Sequence, residues 1–503
     1  MNRDGTWLEW SDALFGVMYY GKDFWSARIP MKYVLPGMSL TFKNGETSGS
    51  LSNIEVGAPT ELVLHTIDIG MLVEPRDRFD FQRNKDCQAE YYQRIPVSRL
   101  IVTQYEPLHL KEVVLYDGTT YLTQSATEGA SKDGDMREHI AKGLISTGIN
   151  MANLGIHSSD GPSKGTKASP YINSVNWYTI NNSQGKYSNG IQTHGMGGGG
   201  TVVTVIKSCK ENEFAHELGH NWNGHYPGGF NGSVHRSSEY FGSTWGWNSD
   251  YNVFLPNFQK SDTGTDICYC ENEKDEEVCE CQGSFLGHEF GKDAMASGGG
   301  PMYPSIMYST LHTPYMLYSI QNGTRIDVKG KGKGLELGAN WDKNSESGMS
   351  KWDSECKCMK PWNVTQLPKF PDLPQKPVEQ GVPVATLVGF YDPQLEMRTY
   401  IYPALHGAYG NVFKESTEEE VYKITKNGCY VAVRNDDNVE KKFALKVDRQ
   451  DEDGKYMNKF HINVAEAFGP THIKVYCRNQ LVHERSIEKS TRTLSYNVIG
   501  RQL

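Results

Sequence analysis

Apolar residues recur every four positions in two stretches of the chain, around residues 135–145 and residues 214–222. The two sets are Met136, Ile140, Leu144 and Phe214, Leu218, Trp222. Residues four apart lie on one face of an α-helix, so each set forms an apolar stripe. We therefore predict a helix in each stretch, and we expect the stripe of the second helix to be buried.

Runs of β-branched and aromatic residues bounded by turn residues predict strands elsewhere. These runs are Tyr33 to Leu35, Ser39 to Phe42, Glu61 to Ile67, Leu100 to Val102, Thr201 to Ile206, Val384 to Val388 and Cys429 to Val433. The glycines from Gly197 to Gly200 precede Thr201, and no Gly-Lys-Ser/Thr follows them, which argues against a phosphate-binding loop. We interpret them as a flexible turn into an edge strand, with which an extended peptide could pair.

The length of the chain requires more than one hydrophobic core. With 503 residues it exceeds the size at which a single core stops growing, so we expect two or three domains of the α+β class. Six prolines lie between residues 361 and 383, and we interpret this segment as a semi-rigid linker. The short strands beyond it predict an antiparallel β-sandwich that is stapled by a disulfide between Cys429 and Cys477.

Composition narrows the classes of partner. A hydrophobic share of 38% with 11% aromatic residues is typical of a globular protein. The net charge is −9 and no basic stripe is present, so we expect no nucleic acid partner. The sequence has no run of about 18 apolar residues, so we expect no membrane span. We expect the protein to be a monomer.

Cysteine usage indicates an oxidising compartment, because disulfides persist mainly outside the cytosol. The Cys-x-Cys pairs have a spacing that fits zinc knuckles poorly, so we prefer disulfides to a second zinc site. We predict pairing of Cys268, Cys270, Cys279 and Cys281 among themselves or with Cys356 and Cys358. Cys87 and Cys209 are either free or paired. The run from Ala13 to Met18 lacks the flanks of a secretory signal, so we expect a secreted protein whose sequence is shortened here.

The second predicted helix carries His216, Glu217 and His220. Two imidazoles four residues apart lie on one helical face and can share one zinc ion. The glutamate between them then lies beside the open metal position, as a general base does in H-E-x-x-H metalloproteases. The alternative interpretation is a surface helix with two ordinary histidines and a glutamate.

A third metal ligand must come from beyond the helix. His225 lies five positions after His220, and that step rotates a side chain by about 140° if the helix continues. Gly224 has the permissive backbone for a break, so His225 can reach the ion where the helix ends. Glu239 is the main alternative, as the carboxylate of a two-histidine, one-glutamate site. His235 is a further alternative, for which a structural role is the simpler interpretation.

The motif resembles that of the metzincin zinc proteases, H-E-x-x-H-x-x-G-x-x-H. Here the glycine comes one residue late and the last histidine one residue early, and Tyr226 stands where the pattern expects histidine. The segment from Ser305 to Ser309 resembles the methionine turn beneath a metzincin zinc site, with Met307 as a soft packing residue.

Sequence on both sides of the motif carries a closer resemblance. The segments are Gly57 to Leu62, Thr66 to Met71, Pro75 to Phe81, Ile95 to Arg99, Pro107 to Glu112, Asn189 to Gln192, Gly228 to Phe230, Gly232 to Ser237, Ser243 to Trp247, Gly381 to Pro393, Ile401 to Ala404 and Met457 to Val464. Together they resemble the dictomallein/StcE family of secreted, mucin-selective zinc metallopeptidases, from residue 50 to about residue 465.

This resemblance implies a metzincin-like zinc-protease domain that hydrolyses peptide bonds in O-glycosylated, Ser/Thr-rich, mucin-type glycoproteins. It implies that His216, His220 and His225 bind one Zn²⁺. It further implies that Glu217 is the general base and that Tyr226 stabilises the developing oxyanion. The chain departs from the family in the shorter spacing before His225 and in the absence of a long insertion.

We accordingly divide the chain into four parts. They are an incomplete N-terminal β module at residues 1–57, the catalytic domain at 58–350, a proline-rich linker at 351–384 and a C-terminal antiparallel β domain at 385–503. Two other functions stay open. One is a catalytically impaired glycoprotein-binding protein, and the other is a zinc protease of broad peptide specificity without a glycan requirement.

Overall fold

The structure is a computed structural model, and the residues that it describes fall into several ranges. They are 9–12, 16–19, 29–54, 56–57, 59–77, 79–159, 175–198, 201–204, 213–222, 246–248, 253–255, 258–260, 267–273, 276–282, 288–290, 312, 317, 320, 339–353, 355–362, 376–445 and 458–501.

The first described part, up to residue 159, contains ten strands. They are β1 (Glu9–Asp12), β2 (Gly16–Tyr19), β3 (Leu40–Asn44), β4 (Thr47–Leu51), β5 (Glu61–Met71), β6 (Arg99–Gln104), β7 (Leu108–Leu110), β8 (Val113–Val114), β9 (Thr120–Tyr121) and β10 (Ser158–Ser159). Its helical segments are a 3₁₀ turn (Met31–Tyr33), α1 (Asp80–Arg83), α2 (Lys85–Tyr92), a π-helix (Arg137–Ser146) and α3 (Thr147–Asn153).

The part from residue 175 to residue 290 contains the predicted metal-binding helix. Its elements are β11 (Asn176–Tyr187), β12 (Gly190–Thr193), β13 (Met196–Gly198), β14 (Thr201–Thr204), α4 (Glu213–Gly219), β15 (Gly246–Asn248), β16 (Val253–Leu255), β17 (Phe258–Lys260), β18 (Ile267–Glu273), β19 (Glu276–Gln282) and β20 (His288–Phe290).

The last part, from residue 339 onward, consists mostly of strands. Its elements are β21 (Ala339–Trp341), β22 (Met349–Asp353), β23 (Cys358–Pro361), β24 (Glu379–Tyr391), β25 (Tyr400–Ile401), β26 (Leu405–Val412), α5 (Glu418–Ile424), β27 (Cys429–Asn435), β28 (Glu440–Ala444), β29 (Asn458–Ala465), a 3₁₀ turn (Glu466–Phe468), β30 (Pro470–Cys477), β31 (Gln480–Ser486) and β32 (Tyr496–Gly500).

Eight strands form a mixed sheet in the order β13-β14-β11-β5-β6-β32, with β12 beside β11 and β7 beside β5. Strands β14, β11, β5 and β6 are parallel, whereas β13 and β32 run antiparallel to their neighbours. Among the described strands, the outermost one near α4 is therefore Met196–Gly198. Our prediction that Thr201 to Ile206 forms the edge is wrong, because Gly197 and Gly198 pair with Val202 and Thr201 and cover that strand.

Side-chain alternation along β5 separates two cores. Leu62 and Leu64 belong to a cluster with residues of α1, α2 and α4 on one face of the sheet. Ile67 and Ile69 point to the opposite face, where they join residues of the π-helix and of β24. The helix of the predicted metal site therefore packs on one face of the mixed sheet, and the C-terminal strands lie toward the other.

The π-helix and α3 lie between the mixed sheet and a five-stranded antiparallel sheet of β10, β24, β25, β26 and β29. The other face of β24 supplies Leu387 and Tyr391 to a core shared with the four-stranded sheet β28-β27-β30-β31. These two sheets pack face to face as an antiparallel sandwich. The predicted Cys429–Cys477 disulfide is confirmed, and it joins neighbouring strands of one sheet, because the two cysteines are opposite each other in register.

Several local predictions have clear outcomes. The helix at residues 135–145 is confirmed, although most of it is π-helical. The predicted strand at Tyr33 is wrong, because Met31–Tyr33 forms a 3₁₀ turn and the hairpin begins at Leu40.

The cysteine predictions have separate outcomes. Cys356 bonds to Cys358, which rules out their pairing with the other Cys-x-Cys pairs, and Cys87 is disulfide-bonded. In β18 and β19 the register sets Cys268 opposite Cys281 and Cys270 opposite Cys279.

The sheet-rich α+β class is confirmed, whereas the domain boundaries and the metzincin-like arrangement stay predictions. Strands β22, β23 and β24 occupy parts of the segment predicted as a linker, and residues 363–375 lie outside the described part. Strand β32 pairs with β6, so the end of the C-terminal segment belongs to the mixed sheet. Among the described helices, none is both long and apolar enough to cross a membrane.

Candidate active site

Helix α4 has one buried face, and its apolar stripe confirms the sequence prediction. Phe214, Leu218 and Trp222 are 2%, 0% and 4% exposed. The ring of Phe214 stacks on Phe81 with 3.9 Å between centroids, and it meets the ring of Tyr91 edge-on at 5.0 Å. Side chains from α1 and α2 therefore form the surface on which α4 rests.

The C-terminal end of α4 is held by polar contacts to β11. Trp222 Nε1 donates a hydrogen bond to Asn176 Oδ1 at 3.1 Å, and the Tyr178 hydroxyl donates to the same oxygen at 3.1 Å. The Tyr178 and Trp222 rings also meet edge-on at 6.0 Å. Burial raises the pKa of Tyr178, so its hydroxyl keeps the proton that it donates.

The helix loses its regular hydrogen-bond pattern directly after His220. The His220 amide donates to the carbonyl of His216 at 3.2 Å, which is a normal α-helical bond. The next two amides, of Asn221 and Trp222, each reach three residues back, at 3.0 Å. Such tightening is common in the last turn of a helix. His216 and His220 therefore occupy the last regular turn.

The imidazoles of His216 and His220 converge at the partly exposed face of α4. Their Nε2 atoms lie 3.2 Å apart, and the ring planes are inclined by 83°. Two nitrogens that each bind one tetrahedral zinc ion at its usual distance are about 3.3 Å apart. The observed separation therefore fits a pair of ligands to one ion. Glu217 stands between them in sequence, partly buried, with its Oε2 atom shielded from solvent.

The remaining predicted site residues lie outside the described residues. They are His225, Tyr226, the alternatives His235 and Glu239, and Met307. Across the residues that the structure does describe, no group of three or more His, Cys, Asp or Glu side chains is arranged to hold a metal ion. The structure thus brings His216 and His220 together, and the assignment of the third ligand stays a prediction.

Helix α4 lies against β13 and β14, at the end of the mixed sheet. Among the described strands, β13 has a neighbour on one side only. An extended peptide can add to such an edge through main-chain hydrogen bonds. The sheet edge and the two histidines therefore belong to one region of the molecule.

Sequence analysis missed the residues that support α4 from behind. Phe81, Tyr91 and Asn176 belong to segments far earlier in the chain, and none of them is part of a metal-binding motif. The one available signal was the apolar stripe of α4, which requires a buried partner but does not identify it. Their contact with α4 depends on the order of the strands.

Comparison with known proteins agrees with this geometry. Residues 16–327 match the family model described as Peptidase M66, and residues 375–477 match the one described as ToxR activated gene A lipoprotein domain. The chain is similar to metalloprotease StcE of Escherichia coli O157:H7, with 35% identity over 595 aligned residues. That alignment covers 99% of the chain and 63% of StcE. The alignment is longer than the chain itself, so StcE contains insertions within the aligned region that the chain lacks.

Two further relatives are more distant. The ToxR-activated gene A lipoprotein of Vibrio cholerae serotype O1 (El Tor Inaba N16961) is 34% identical, over 79% of the chain and 36% of that protein. Dictomallein of Burkholderia pseudomallei (strain 1710b) is 22% identical, over 76% of the chain and 54% of that protein. The chain thus spans less than two thirds of each of these relatives. The match over residues 16–327, together with the similarity to StcE and dictomallein, shows that the chain belongs to the Peptidase M66 family of metalloproteases.

Proposed function

We propose that the chain is a zinc-dependent endopeptidase that cleaves O-glycosylated, Ser/Thr-rich glycoproteins of the mucin type. The 3.2 Å separation of the His216 and His220 Nε2 atoms is the central support, because it suits two ligands of one zinc ion. Family membership supports the peptidase class. The flanking segments that resemble the dictomallein/StcE family support a secreted protein and a glycoprotein substrate.

In the proposed site His216, His220 and His225 hold the metal. When bound, zinc supplies an activated water and polarises the scissile carbonyl. Glu217 accepts the proton of the attacking water and passes it to the leaving amine nitrogen. Tyr226 donates a hydrogen bond to the oxygen on which negative charge develops.

In this proposal an extended peptide substrate pairs with the edge of β13 that has no neighbour among the described strands, beside α4. Two of its three residues, Gly197 and Gly198, have no side chain. A substrate residue that pairs opposite glycine has no neighbouring side chain across the strand. A bulky O-linked sugar on that residue therefore meets less steric hindrance. This edge is therefore suited to a substrate with large side-chain substituents.

The central test replaces the general base. We expect Glu217→Gln to lower the rate of mucin hydrolysis by about 10²- to 10⁴-fold, because the amide cannot accept the proton. Zinc content, measured on the purified protein by mass spectrometry, should stay at one ion per chain, because Glu217 is not a ligand. Glu419→Gln makes the same chemical change on α5 and should leave the rate unchanged. Near-normal turnover in Glu217→Gln would refute the assignment.

A second test concerns the third ligand. We expect His225→Ala to lower the zinc content and Glu239→Gln to leave it unchanged. The opposite pattern would assign the third position to Glu239.

The same assays separate the two alternative functions. Equal cleavage of a glycosylated peptide and of the bare peptide would indicate a zinc protease of broad specificity. Binding of glycoprotein without hydrolysis by the zinc-loaded wild type would indicate an impaired glycoprotein-binding protein. Preference for the glycosylated peptide is the result that we expect.

A further inference from the structure

The edge strand β13 begins directly after His194 and Gly195, and both residues are tied to neighbouring segments. The His194 amide donates to the Ser183 carbonyl of β11 at 3.2 Å, and the Gly195 amide donates to the Ser131 carbonyl at 2.9 Å. The His194 side chain is fully buried, at 0% exposed. The entry to β13 is therefore anchored on two sides.

The His194 ring takes part in a chain of hydrogen bonds with one consistent direction. His194 Nδ1 lies 3.0 Å from the Ala130 carbonyl oxygen, which can only accept, so Nδ1 carries the proton. His194 Nε2 then accepts from the Tyr187 hydroxyl at 3.1 Å. That hydroxyl accepts in turn from the Arg137 amide at 3.0 Å. We call Ala130, Arg137, Tyr187 and His194 the His194 cluster.

Burial favours the neutral imidazole that this pattern requires, since it lowers the pKa of His194 to about 4. The Tyr187 ring is confined by close glycines. A Cβ atom added at Gly129, Gly134 or Gly185 would lie 2.5, 2.7 or 2.8 Å from the Tyr187 side chain. The tyrosine hydroxyl is thus held in one place by packing, and the His194 ring is held with it.

The loop around residues 125–135 is also bound to the hairpin of β11 and β12. The Ser188 amide donates to the Thr127 carbonyl at 3.1 Å. The Asn189 side chain bonds both the amide and the carbonyl of Gly129, at 3.0 and 2.7 Å. Hydrogen bonds therefore join the loop, the hairpin and the entry to β13.

We propose that Tyr187 and His194 are positioning residues that hold β13 in place for an incoming peptide. This inference rests on the proposed function, in which the substrate pairs with β13. A three-residue strand with one neighbour among the described strands has few hydrogen bonds of its own there, and ordering it during binding would weaken affinity. The His194 cluster orders the strand beforehand. It does not touch the reacting atoms, so its loss should affect substrate binding and not the chemical step.

The experiment compares Tyr187→Phe, His194→Asn and His194→Leu. The first removes the hydroxyl and with it the bonds to His194 Nε2 and to the Arg137 amide. The second keeps a donor for Ala130, and the third removes both bonds of the ring. For a glycosylated Ser/Thr-rich peptide we expect KM to rise about 3- to 10-fold in the first two variants, because both lose the bond between residues 187 and 194, and further in the third. We expect kcat to stay within about twofold and zinc content to stay unchanged.

Tyr402→Phe is the matched control. The Tyr402 hydroxyl is also buried and bonds the amide and the carbonyl of Val114, at 3.1 and 2.7 Å, but it has no link to β13. It should lower stability without raising KM. A rise in KM equal to that of Tyr187→Phe would show that general destabilisation is the cause and would overturn the inference.

Direct binding separates this inference from the proposed function. In a Glu217→Gln background, the Kd of the same peptide should rise when Tyr187→Phe is added. If wild type hydrolyses the peptide but KM and Kd do not respond to Tyr187→Phe and His194→Asn, the positioning role is wrong. If wild type does not hydrolyse it, the proposed function is wrong, and the Kd series still tests the His194 cluster.

Discussion

Helix α4 and the C-terminal sandwich are both built on fully buried side chains, but these side chains come from different distances along the chain. The back of α4 contacts Phe81, Tyr91 and Asn176, which lie in three earlier elements. The sandwich core draws all of its residues from the segment between Leu387 and Ile487. The candidate metal site therefore depends on remote segments, whereas the apolar core of the sandwich is formed within one segment.

This difference means that similar losses of packing should have different consequences in the two regions. A cavity behind α4 displaces two histidines whose nitrogens must stay about 3.3 Å apart to share an ion. A cavity in the sandwich lowers stability but leaves that geometry intact. The following predictions test the comparison.

The largest effect is expected from Phe214→Ala, set against Phe443→Ala in the sandwich core. Both rings are almost completely buried, so each change should lower the free energy of unfolding by about 3–5 kcal/mol. Only Phe214→Ala should also lower the zinc content of the folded protein, because Phe214 supports the helix of His216. Thermal unfolding and metal analysis measure the two effects. Full zinc content in Phe214→Ala would break the comparison.

Removal of the disulfide in the sandwich should have the next largest effect on stability. Cys429 and Cys477 are 48 positions apart, and Cys429→Ala with Cys477→Ala should cost about 3–4 kcal/mol of unfolding free energy, because the unfolded chain becomes less constrained. Cys356 and Cys358, only two positions apart, provide the control: their replacement should change urea unfolding much less. The zinc content of both double variants should be normal. Loss of zinc on removing Cys429–Cys477 would show that the two regions are coupled.

The third prediction concerns His65, which lies in β5 between the rings of Tyr105 and Trp177. It is fully buried, and neither ring nitrogen has a hydrogen-bond partner within the described residues. Burial lowers the pKa of His65 from 6.5 to about 3. Between these values the unfolded chain binds a proton that the folded protein does not. As the pH is lowered below 6.5, the free energy of unfolding should therefore decrease, by about 1.4 kcal/mol per pH unit for this residue.

His65→Phe should remove this part of the pH dependence and leave stability near pH 7 almost unchanged, as urea unfolding at pH 7, 6 and 5 would measure. His406 should contribute a pH dependence of stability of the opposite sign. Its bond to Glu466 raises the pKa of His406 despite burial, so its contribution is complete below 6.5 and is lost as the pH rises through the raised value. An unchanged slope in His65→Phe would contradict the prediction.

The smallest effect is expected from Trp222→Phe. The change removes the indole donor to Asn176 Oδ1, but Tyr178 still donates to that oxygen, so no buried acceptor is left unpaired. We expect a loss of about 1 kcal/mol in unfolding free energy and nearly normal zinc content. Asn176→Leu, which removes the acceptor of both bonds, should cost more. Equal costs would show that the polar contacts do not position α4.

The predicted elements that hold are those with a local signal. The stripe of Phe214, Leu218 and Trp222 predicted both the helix and its buried face, because residues four apart meet on one side of any helix. The strands at Glu61, Leu100 and Cys429 follow from β-branched runs in the same way. The π-helix was predicted only as a helix, since its wider turns are not visible in a four-residue apolar spacing.

The edge strand and the His194 cluster were not predicted because they depend on partners far away in sequence. Whether Thr201–Thr204 or Met196–Gly198 forms the edge depends on which strand pairs with β14, and glycines have no pattern that reveals this pairing. The His194 cluster was missed for the same reason. Ala130, Tyr187 and His194 meet only because the loop at 125–135 folds onto the β11–β12 hairpin.

The sequence by itself determined the four-residue spacing of His216 and His220, the buried stripe behind them, the Cys429–Cys477 disulfide and the resemblance to a peptidase family. The spacing and the stripe depend on residue identities at short separations, and the resemblance depends on a characteristic order of segments. The disulfide follows from two cysteines that both lie beyond the proline-rich segment. Tertiary structure alone decided the order of the strands, the pairing of β32 with β6 and the side chains that support α4. Strand pairing joins backbone groups common to all residues, so the choice of neighbour depends on how the whole chain packs.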